Sequence, residues 1–276
     1  MGRIHVMVNG IPGNMAANVA GHVIEDDRFE LIPFSLTGPE IEETEHSVDG
    51  TRIHLIHPST RDAEIKKLIQ DNELFITVDY THPSAVNDNV KFYCETGLPF
   101  VMGTTGGDRD KLSKVVESSP IAAVIAPNMA KQIVGFQAMM EYASTNFPGI
   151  FNGYSLEIKE SHQKGKADTS GTAKAMVKYF NNMGTPFSED AILKERDPET
   201  QKNEWQIPED YLAGHAWHTY TLISSDKTVC FEFTHNVNGR DVYSRGTLDA
   251  VEYLYQKVTQ GKKGKVFSMI DVLKQV

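Results

Sequence analysis

The sequence has few cysteines and no long apolar run. Only Cys94 and Cys230 occur among 276 residues, and they lie too far apart for the spacing typical of a metal site. We therefore expect no bound metal, and two reduced core thiols rather than a functional pair. No apolar stretch approaches the roughly 20 residues that span a bilayer, so we expect no membrane partner.

Positive charge is also scarce. The chain has 27 lysines and arginines against 37 acidic residues, a formal net charge of -10. This balance argues against binding nucleic acid through bulk charge, but it leaves room for a local basic pocket for an anionic substrate. No signal or transit peptide precedes the strand-like run that starts at Arg3. We therefore expect a cytoplasmic protein, or a plastid stromal one if a plant transit peptide has been removed.

The first half of the chain alternates strand and helix patterns. We predict strands over 4–8, 29–34, 52–56, 74–78, 99–102 and 121–125, with helices over 14–25, 61–70, 83–96 and 108–118. Such alternation is typical of a Rossmann-like, doubly wound parallel sheet with helices on both faces.

The pattern changes after Pro127. We predict helices over 132–145 and 170–183, a strand over 154–160, and a hairpin of strands 215–223 and 228–235. A helix over 247–258 follows. The fold class is therefore α/β with a second α+β domain that has a mixed or antiparallel sheet. We predict a first domain over 1–129, to which 241–276 returns, and a second over 130–240.

The first strand runs into a glycine-containing turn that opens a helix, formed by Gly10, Ile11, Pro12, Gly13, Asn14 and Met15. Glycine lets backbone amides approach a ligand, and a helix N-terminus favours a pyrophosphate. The turn lacks the middle glycine of G-x-G-x-x-G, so a plain strand-helix turn is the alternative. The alternation that follows favours a dinucleotide site.

The second predicted strand lacks the acidic end that usually binds the ribose of NADH. It ends instead in Ser35 and Thr37, whose hydroxyls could donate to a 2′-phosphate. This favours NADPH as the cofactor. NADH remains possible because no arginine stands at that strand end, and a polar loop without a ligand is the alternative.

Two later strand ends are candidates for contact with the cofactor, because ligands of doubly wound sheets lie beyond the carboxyl ends of the strands. They are Gly103, Thr104 and Thr105, and then Pro127, Asn128 and Met129. Each is also consistent with an ordinary loop. For His82 we favour a surface or helix-capping role over a catalytic one.

The segment from Glu160 to Thr172 has the densest chemistry in the chain. His162 can exchange a proton near neutral pH, and Lys166 can neutralise an anion or donate a proton. Ser170, Gly171 and Thr172 open a predicted helix and form a carboxylate-binding element. The segment predicts a site for a small dicarboxylate beside a proton donor. The alternative is a solvated loop in which Ser170 is an ordinary N-cap.

This segment resembles the signature of dihydrodipicolinate reductases. The resemblance lies in Glu160-Ser161-His162-Gln163, in Lys166, and in Ser170-Gly171-Thr172-Ala173. The turn at Gly10–Ala16 is similar to the family's glycine turn. The runs Val101–Arg109 and Met269–Leu273 are closest to the plant-type branch.

The resemblance implies NADPH- or NADH-dependent reduction of 4-hydroxy-tetrahydrodipicolinate to tetrahydrodipicolinate in lysine and diaminopimelate biosynthesis. It implies that His162 is the proton donor, Lys166 the second catalytic residue, and Gln163, Ser170, Gly171 and Thr172 substrate contacts. Gln163 stands where bacterial members have a second histidine, and the stretch from Lys166 to Ser170 is one residue shorter, so Lys164 is a rival to Lys166. The resemblance also implies a homodimer or homotetramer.

Two other functions fit part of the pattern. A different two-domain dehydrogenase would combine the same first half with another substrate loop. A sensor would bind NADPH without chemistry, and its behaviour would not depend on His162.

Overall fold

A computed structural model describes residues 2–275. The described chain forms two compact units, one of residues 2–131 with 241–275 and one of residues 132–240. Within the described chain, no helix is long and apolar enough to cross a membrane.

The strands are β1 (Ile4–Asn9), β2 (Phe29–Leu31), β3 (Phe34–Leu36), β4 (Glu45–Val48), β5 (Thr51–Ile56), β6 (Phe75–Asp79), β7 (Phe100–Met102), β8 (Ala122–Ile125), β9 (Tyr154–His162), β10 (Leu193–Glu195), β11 (His215–Ser224), β12 (Cys230–Asn238) and β13 (Lys265–Phe267). The helices are α1 (Asn14–Glu25), α2 (Arg61–Asp71), α3 (Val86–Thr96), α4 (Arg109–Glu117), α5 (Lys131–Asn146), α6 (Gly171–Asn182), α7 (Pro198–Asn203), α8 (Asp241–Thr259) and α9 (Met269–Leu273). Short 3-10 turns occupy Pro83–Ala85, Glu189–Ala191 and Glu209–Tyr211.

The first unit is built on a six-stranded sheet in the order β13-β8-β7-β6-β1-β2, in which every neighbouring pair is parallel. Its central strands are apolar on both faces, as expected for a sheet covered on both sides: Val6 and Ile76 on one face, and Met7 and Phe75 on the other, are at most 3% exposed. This confirms the predicted Rossmann-like fold.

The predicted strand over 29–34 is wrong in one respect, because it is two strands. β2 belongs to the six-stranded sheet, whereas β3 joins a separate sheet in the order β3-β5-β4. Pro33 lies between them and has no N–H to continue a ladder. The carboxyl end of β3 therefore lies beside the carboxyl end of β5, with Leu36 paired to Ile56.

The second unit has a mixed sheet in the order β10-β9-β11-β12. β11 is antiparallel to β12, as the predicted hairpin requires, and it is also antiparallel to β9. β10 is parallel to β9. α6 contributes Met176 and Phe180 to a core that also contains Tyr220 and Leu222 of β11. This packing leaves the carboxyl end of β9 and the N-terminus of α6 to be joined by residues 163–170.

The C-terminal segment completes the first unit. α8 begins at Asp241, six residues before the predicted start, and packs on α1 and on β6, β7 and β8. β13 then adds a parallel edge strand beside β8.

The expectation of two core thiols is correct for Cys94 only. Cys94 is buried on α3, whereas Cys230 is exposed as the first residue of β12. β12 lies at the edge of its sheet, so its first residue lacks a covering layer.

Candidate active site

The turn after β1 requires glycine at two positions. Gly10 has φ +104, and a Cβ there would overlap the carbonyl oxygen of Tyr80. A Cβ at Gly13 would lie 2.8 Å from the Gly10 carbonyl oxygen. Gly13 is the N-cap of α1 and offers no side-chain capping bond, so the first N–H groups of this helix remain available to an anion.

A cavity of about 1040 Å³ opens beside this turn. Its lining includes Gly10, Pro12, Gly13, Thr37, Gly38, Glu40, Arg61, Tyr80, Thr81 and His82. The structure thus brings the turn and Thr37 to the same cavity. Ile11 lies fully buried beneath the turn, while Asn14 is exposed and Met15 half-buried on α1.

The prediction that Ser35 donates to a 2′-phosphate is wrong. Ser35 has no exposed surface, and its hydroxyl oxygen accepts a hydrogen bond from the Ile11 N–H at 3.2 Å. Through this bond Ser35 fixes the glycine turn to β3, on the buried side of the turn. Thr37, one residue after the strand, is half-buried and does reach the cavity.

Asp79, which the sequence reading missed, organises the carboxyl end of the parallel sheet. Its carboxylate is fully buried and accepts hydrogen bonds from the Thr81 N–H at 3.1 Å, Asn89 at 3.0 Å, Tyr93 at 2.7 Å and the Thr104 hydroxyl at 2.6 Å. Burial, followed by the nearby Asp79 charge, raises the pKa of Tyr93 well above its usual value, so Tyr93 stays a donor.

The loop after β7 is held by this network. Because the Thr104 hydroxyl donates to Asp79, it is not available as a donor to a ligand. The Thr104 carbonyl accepts a hydrogen bond from Arg109 at 3.1 Å. Gly103 is half-buried, and Thr105 is exposed beside it.

The loop after β8 contains the third predicted group. Pro127 is exposed, Asn128 accepts a hydrogen bond from the Ala130 N–H at 2.9 Å, and Met129 is buried. Gly246 of α8 lies against this loop, and a Cβ there would overlap the Met129 carbonyl oxygen. The position of the loop therefore depends on α8.

His82 has the capping role that we predicted. It is exposed, and it is the N-cap of the 3-10 turn at Pro83–Ala85, where its ring accepts a hydrogen bond from the Ser84 N–H at 3.3 Å. It also lines the cavity.

In the second unit, His162 is the last residue of β9 rather than part of the following loop. It is 6% exposed, and its Nδ1 lies 3.7 Å from Glu160 Oε1. Burial lowers the pKa of His162 to about 3, and the charges of Arg196 and Lys166 act in the same direction. The imidazole is therefore neutral at physiological pH in the ligand-free protein.

Glu160 links β9 to the start of α6. One carboxylate oxygen accepts a hydrogen bond from the Ser170 N–H at 3.0 Å, and the other pairs with the Arg196 guanidinium. Arg196 also donates to the Lys166 carbonyl at 2.9 Å. It therefore ties the loop after β9 to Glu160 within that strand.

Gln201 of α7 adds a second constraint on this loop. It is fully buried and donates to the His162 carbonyl at 2.7 Å. Sequence reasoning missed Glu160, Arg196 and Gln201 as supporting residues. Arg196 and Gln201 lie more than 30 positions beyond His162, and no local pattern connects them to it.

The two candidate lysines differ in their surroundings. The Lys166 side chain is 22% exposed and donates to Asp168 at 2.8 Å. Lys164 is exposed. Gln163 is half-buried at the start of the loop, and its carbonyl accepts a hydrogen bond from the Lys166 N–H.

The start of α6 offers uncapped N–H groups. Ser170 is buried at the N-cap position but makes no side-chain capping bond, contrary to the ordinary N-cap alternative. Gly171 is exposed and Thr172 half-buried in the first turn. This end of a 12-residue helix is suited to a carboxylate.

Three further histidines lie behind His162. The ring of His218 lies edge-on to that of His162 with centroids 5.1 Å apart, and stacks on His235 at 4.7 Å. His215 is bonded to the Ser161 hydroxyl and the Tyr211 carbonyl. Burial lowers the pKa of all three, that of His235 to about 4.

Glu160, His162 and His218 place ligand-type atoms within 4.8 Å of one another. Both Glu160 oxygens are already bonded, to Ser170 and Arg196, and the guanidinium adds positive charge at the same point. We therefore attribute the cluster to support of His162 rather than to a metal.

Two family models match nearly the whole chain. The N-terminal model of dihydrodipicolinate reductase matches residues 4–129, and the C-terminal model matches residues 133–273. The chain is 45% identical over 272 residues to 4-hydroxy-tetrahydrodipicolinate reductase 2, chloroplastic, of Arabidopsis thaliana, covering 99% of this chain and 78% of that protein. It is 43% identical over 270 residues to the probable reductase 1, chloroplastic, of Oryza sativa subsp. japonica, covering 98% and 78%.

Solved structures share the fold. The dipicolinate-bound dihydrodipicolinate reductase from Paenisporosarcina sp. TG-14 matches with a TM-score of 0.67 at 18% identity, covering 96% of this chain and 97% of that one. GenD2 from gentamicin A biosynthesis, in complex with NAD, matches with a TM-score of 0.52 at 11% identity, covering 95% and 88%. The family matches exclude a different dehydrogenase family. The chain belongs to the dihydrodipicolinate reductase family of pyridine-nucleotide oxidoreductases.

Proposed function

We propose that this chain reduces 4-hydroxy-tetrahydrodipicolinate to tetrahydrodipicolinate with NADPH, and less effectively with NADH, in lysine and diaminopimelate biosynthesis. The observation that carries the proposal is the assembly of His162, Lys166 and the α6 N-terminus in a chain of this family. Each turnover consumes one reduced cofactor and one proton, and it releases the oxidised cofactor and water.

The first unit is the proposed dinucleotide-binding domain. The Gly10 turn and the α1 N-terminus would hold the pyrophosphate, and Thr37 would lie near the adenosine ribose. The strand-end loops at Gly103–Thr105 and Pro127–Met129 would contact the rest of the cofactor through their backbone. When bound, the cofactor supplies a hydride.

The second unit is the proposed substrate and oligomerisation domain. The substrate is a dianion with two ring carboxylates, and the Paenisporosarcina relative is a dipicolinate-bound structure. One carboxylate would accept hydrogen bonds from the Gly171 and Thr172 N–H groups. Lys166, and the amide of Gln163, would contact the other side of the ring.

His162 is the proposed proton donor. Its neutral imidazole becomes a competent acid only when a negative charge arrives beside it, and the substrate carboxylates provide that charge. His162 would give its proton to the substrate as the hydride is added and the hydroxyl leaves as water. Lys166, the second catalytic residue, would stabilise charge on the substrate during the same step.

The proposal also covers the oligomeric state of the protein and its compartment. We propose a homodimer or homotetramer assembled through the second unit, in which β12 is an edge strand with Phe231 42% exposed. The relatives from Arabidopsis and rice are named as chloroplastic, which supports the plastid stroma as the site of action if the source is a plant, and the cytoplasm otherwise.

The test is substrate-dependent oxidation of NADPH, followed by its near-ultraviolet absorbance, with substrate generated by dihydrodipicolinate synthase. Rapid oxidation would support the proposal, and the rate with NADH would give the cofactor preference. Lys166→Met should lower kcat by roughly 100-fold or more, whereas Lys164→Met should have little effect. Folded protein that oxidises neither cofactor would contradict the proposed reaction.

A further inference from the structure

A single arginine lies where three structural elements meet at the cavity of the first unit. The Gly10 N–H donates to the Leu36 carbonyl at 2.9 Å, and the Thr37 N–H donates to the Ile56 carbonyl at 3.1 Å. These bonds fix the glycine turn, the end of β3 and the end of β5 side by side. Arg61 begins α2 shortly after β5 and lines the same cavity.

The guanidinium of Arg61 is supported but not neutralised. Its central carbon lies 4.5 Å from the centroid of the Phe92 ring, and the side chain is 30% exposed. Its ion-pair contact is with Asp62 at 4.0 Å, whose side chain is 87% exposed, so this pair is weak. The ring occupies one face of the guanidinium, and its N–H groups remain available to a ligand.

Apart from Arg61, the charged lysine, arginine and carboxylate side chains that line the cavity are all acidic. Glu40, Asp62 and Asp88 also line the cavity, and among its described lining residues Arg61 is the only arginine or lysine. Without Arg61, the acidic side chains at this edge would repel a phosphate, and no arginine or lysine of the described lining would offset them. With Arg61, it would meet a planar fork of donors suited to phosphate oxygens.

We propose that Arg61 is the residue that makes this chain prefer NADPH, by binding the adenosine 2′-phosphate together with the Thr37 hydroxyl. This inference rests on the proposed assignment of the dinucleotide to the cavity. Arg61 is a specificity-determining residue, and it takes no part in hydride or proton transfer. No local sequence pattern points to Arg61, because it follows β5 rather than the strand that the usual motif places beside the ribose.

Titration calorimetry with two nucleotide fragments tests the inference without turnover. Adenosine 2′,5′-bisphosphate carries the 2′-phosphate, and 5′-AMP lacks it. The wild-type chain should bind the first more tightly. Arg61→Met should weaken binding of the 2′,5′-bisphosphate roughly 10- to 100-fold and change 5′-AMP binding less than twofold. Arg61→Lys, which keeps the charge but not the fork, should fall between.

Arg52→Met is the matched control, because Arg52 is an exposed arginine on β5 that does not line the cavity. It should bind both fragments as the wild type does. Equal weakening of both fragments by Arg61→Met, or of neither, would overturn the role of Arg61. A wild-type chain that binds neither fragment would instead overturn the cofactor site itself.

Discussion

The most consequential residue property is the low pKa of His162. Burial and two neighbouring cations keep its ring neutral without a ligand, although the proposed role requires a proton on it. A dianionic substrate reverses this balance, because it places negative charge against the same cations and the imidazolium. Proton donation would thus depend on correct substrate binding.

The first prediction concerns this coupling. Saturating dipicolinate should raise the pKa of His162 from about 3 toward neutrality, because the two carboxylates stabilise the imidazolium. The measurement is an NMR titration of the histidine ring signals with and without dipicolinate, assigned with His162→Gln. A pKa that stays near its ligand-free value with the ligand bound would contradict the proposed proton donor.

The second prediction concerns the stability of the protein in acid. The pKa values of His162 and His235 are about 3 and about 4 in the folded chain, below the unfolded value of 6.5. The unfolded chain therefore binds more protons between pH 6.5 and 4, and the free energy of unfolding should fall as pH falls through that window. Each buried histidine contributes at most about 1.4 kcal/mol per pH unit.

Urea unfolding from pH 7.5 to 4.5 measures this slope. His235→Gln should make the slope of unfolding free energy against pH shallower by the contribution of about one proton. His57→Gln, at an exposed position, keeps all the buried histidines and is the control. An unchanged slope in His235→Gln would show that this histidine binds its proton equally well in the folded and unfolded chains, and would contradict its lowered pKa.

At the scale of elements, periodicity predicted the long helices and the buried strands. β1, α1 and the turn between them follow from a local pattern, and so does the β11–β12 hairpin. The short strands β3, β4, β10 and β13 contain polar residues and lack the uninterrupted apolar run that marks the equally short β7 and β8, so they were missed or merged. For the site, the sequence supplied His162, Lys166 and the α6 N-terminus. It did not supply Asp79, Arg61 or Arg196, whose roles depend on partners that are distant in the chain.

The third prediction concerns the segment that includes β10 and Arg196. Arg196→Met removes the bonds to Glu160 and to the Lys166 carbonyl, so the loop that carries Lys166 should loosen and kcat should fall about 10- to 100-fold. It also leaves Glu160 buried without a counter-charge, which typically costs about 3–5 kcal/mol. Steady-state kinetics and urea unfolding measure the two effects.

A second substitution separates positioning from stability. Arg196→Met with Glu160→Gln should recover most of the lost stability, because no uncompensated charge remains, but it should not recover kcat. Lys194→Met, at an exposed position on β10, is the control. Full recovery of kcat with stability would show that Arg196 serves the fold alone.

The fourth prediction concerns Asp79. Asp79→Asn replaces an acceptor oxygen with an NH₂ group that faces groups already donating to it, among them Tyr93 and Thr104. We expect the free energy of unfolding of the first unit to fall by about 2–4 kcal/mol. Nucleotide binding should also weaken, because the loop after β7 loses the hydrogen bond from Thr104 to Asp79. Asp71→Asn, at the exposed end of α2, is the control for urea unfolding and nucleotide titration. Unchanged stability would show that the network reorganises around the amide.

At the scale of the whole molecule, the two units differ in how the chain builds them. Residues 132–240 are continuous, whereas the first unit combines residues 2–131 with 241–275. α8 contributes Val251 and Leu254, both fully buried, and β13 covers the edge of β8. The first unit is therefore incomplete without the C-terminal segment.

The fifth prediction follows from this connectivity. A chain that ends at Arg240 should fail to form the nucleotide site, because the surface that α8 covers becomes exposed and the Pro127–Met129 loop loses its contact with Gly246. Gel filtration should show aggregation, and calorimetry should show no binding of NADPH. A monodisperse truncated chain that binds NADPH would contradict this expectation.

The same connectivity has a consequence for synthesis on the ribosome. The chain emerges from its N-terminus, so the strands that begin the first unit must wait for α8 and β13, which are made after the whole second unit. The residues between β8 and α8 include the whole second unit, which can fold before α8 has been made. Until β13 has been made, β8 offers an unpaired edge to other nascent chains, and this interval is when the polypeptide most needs a chaperone.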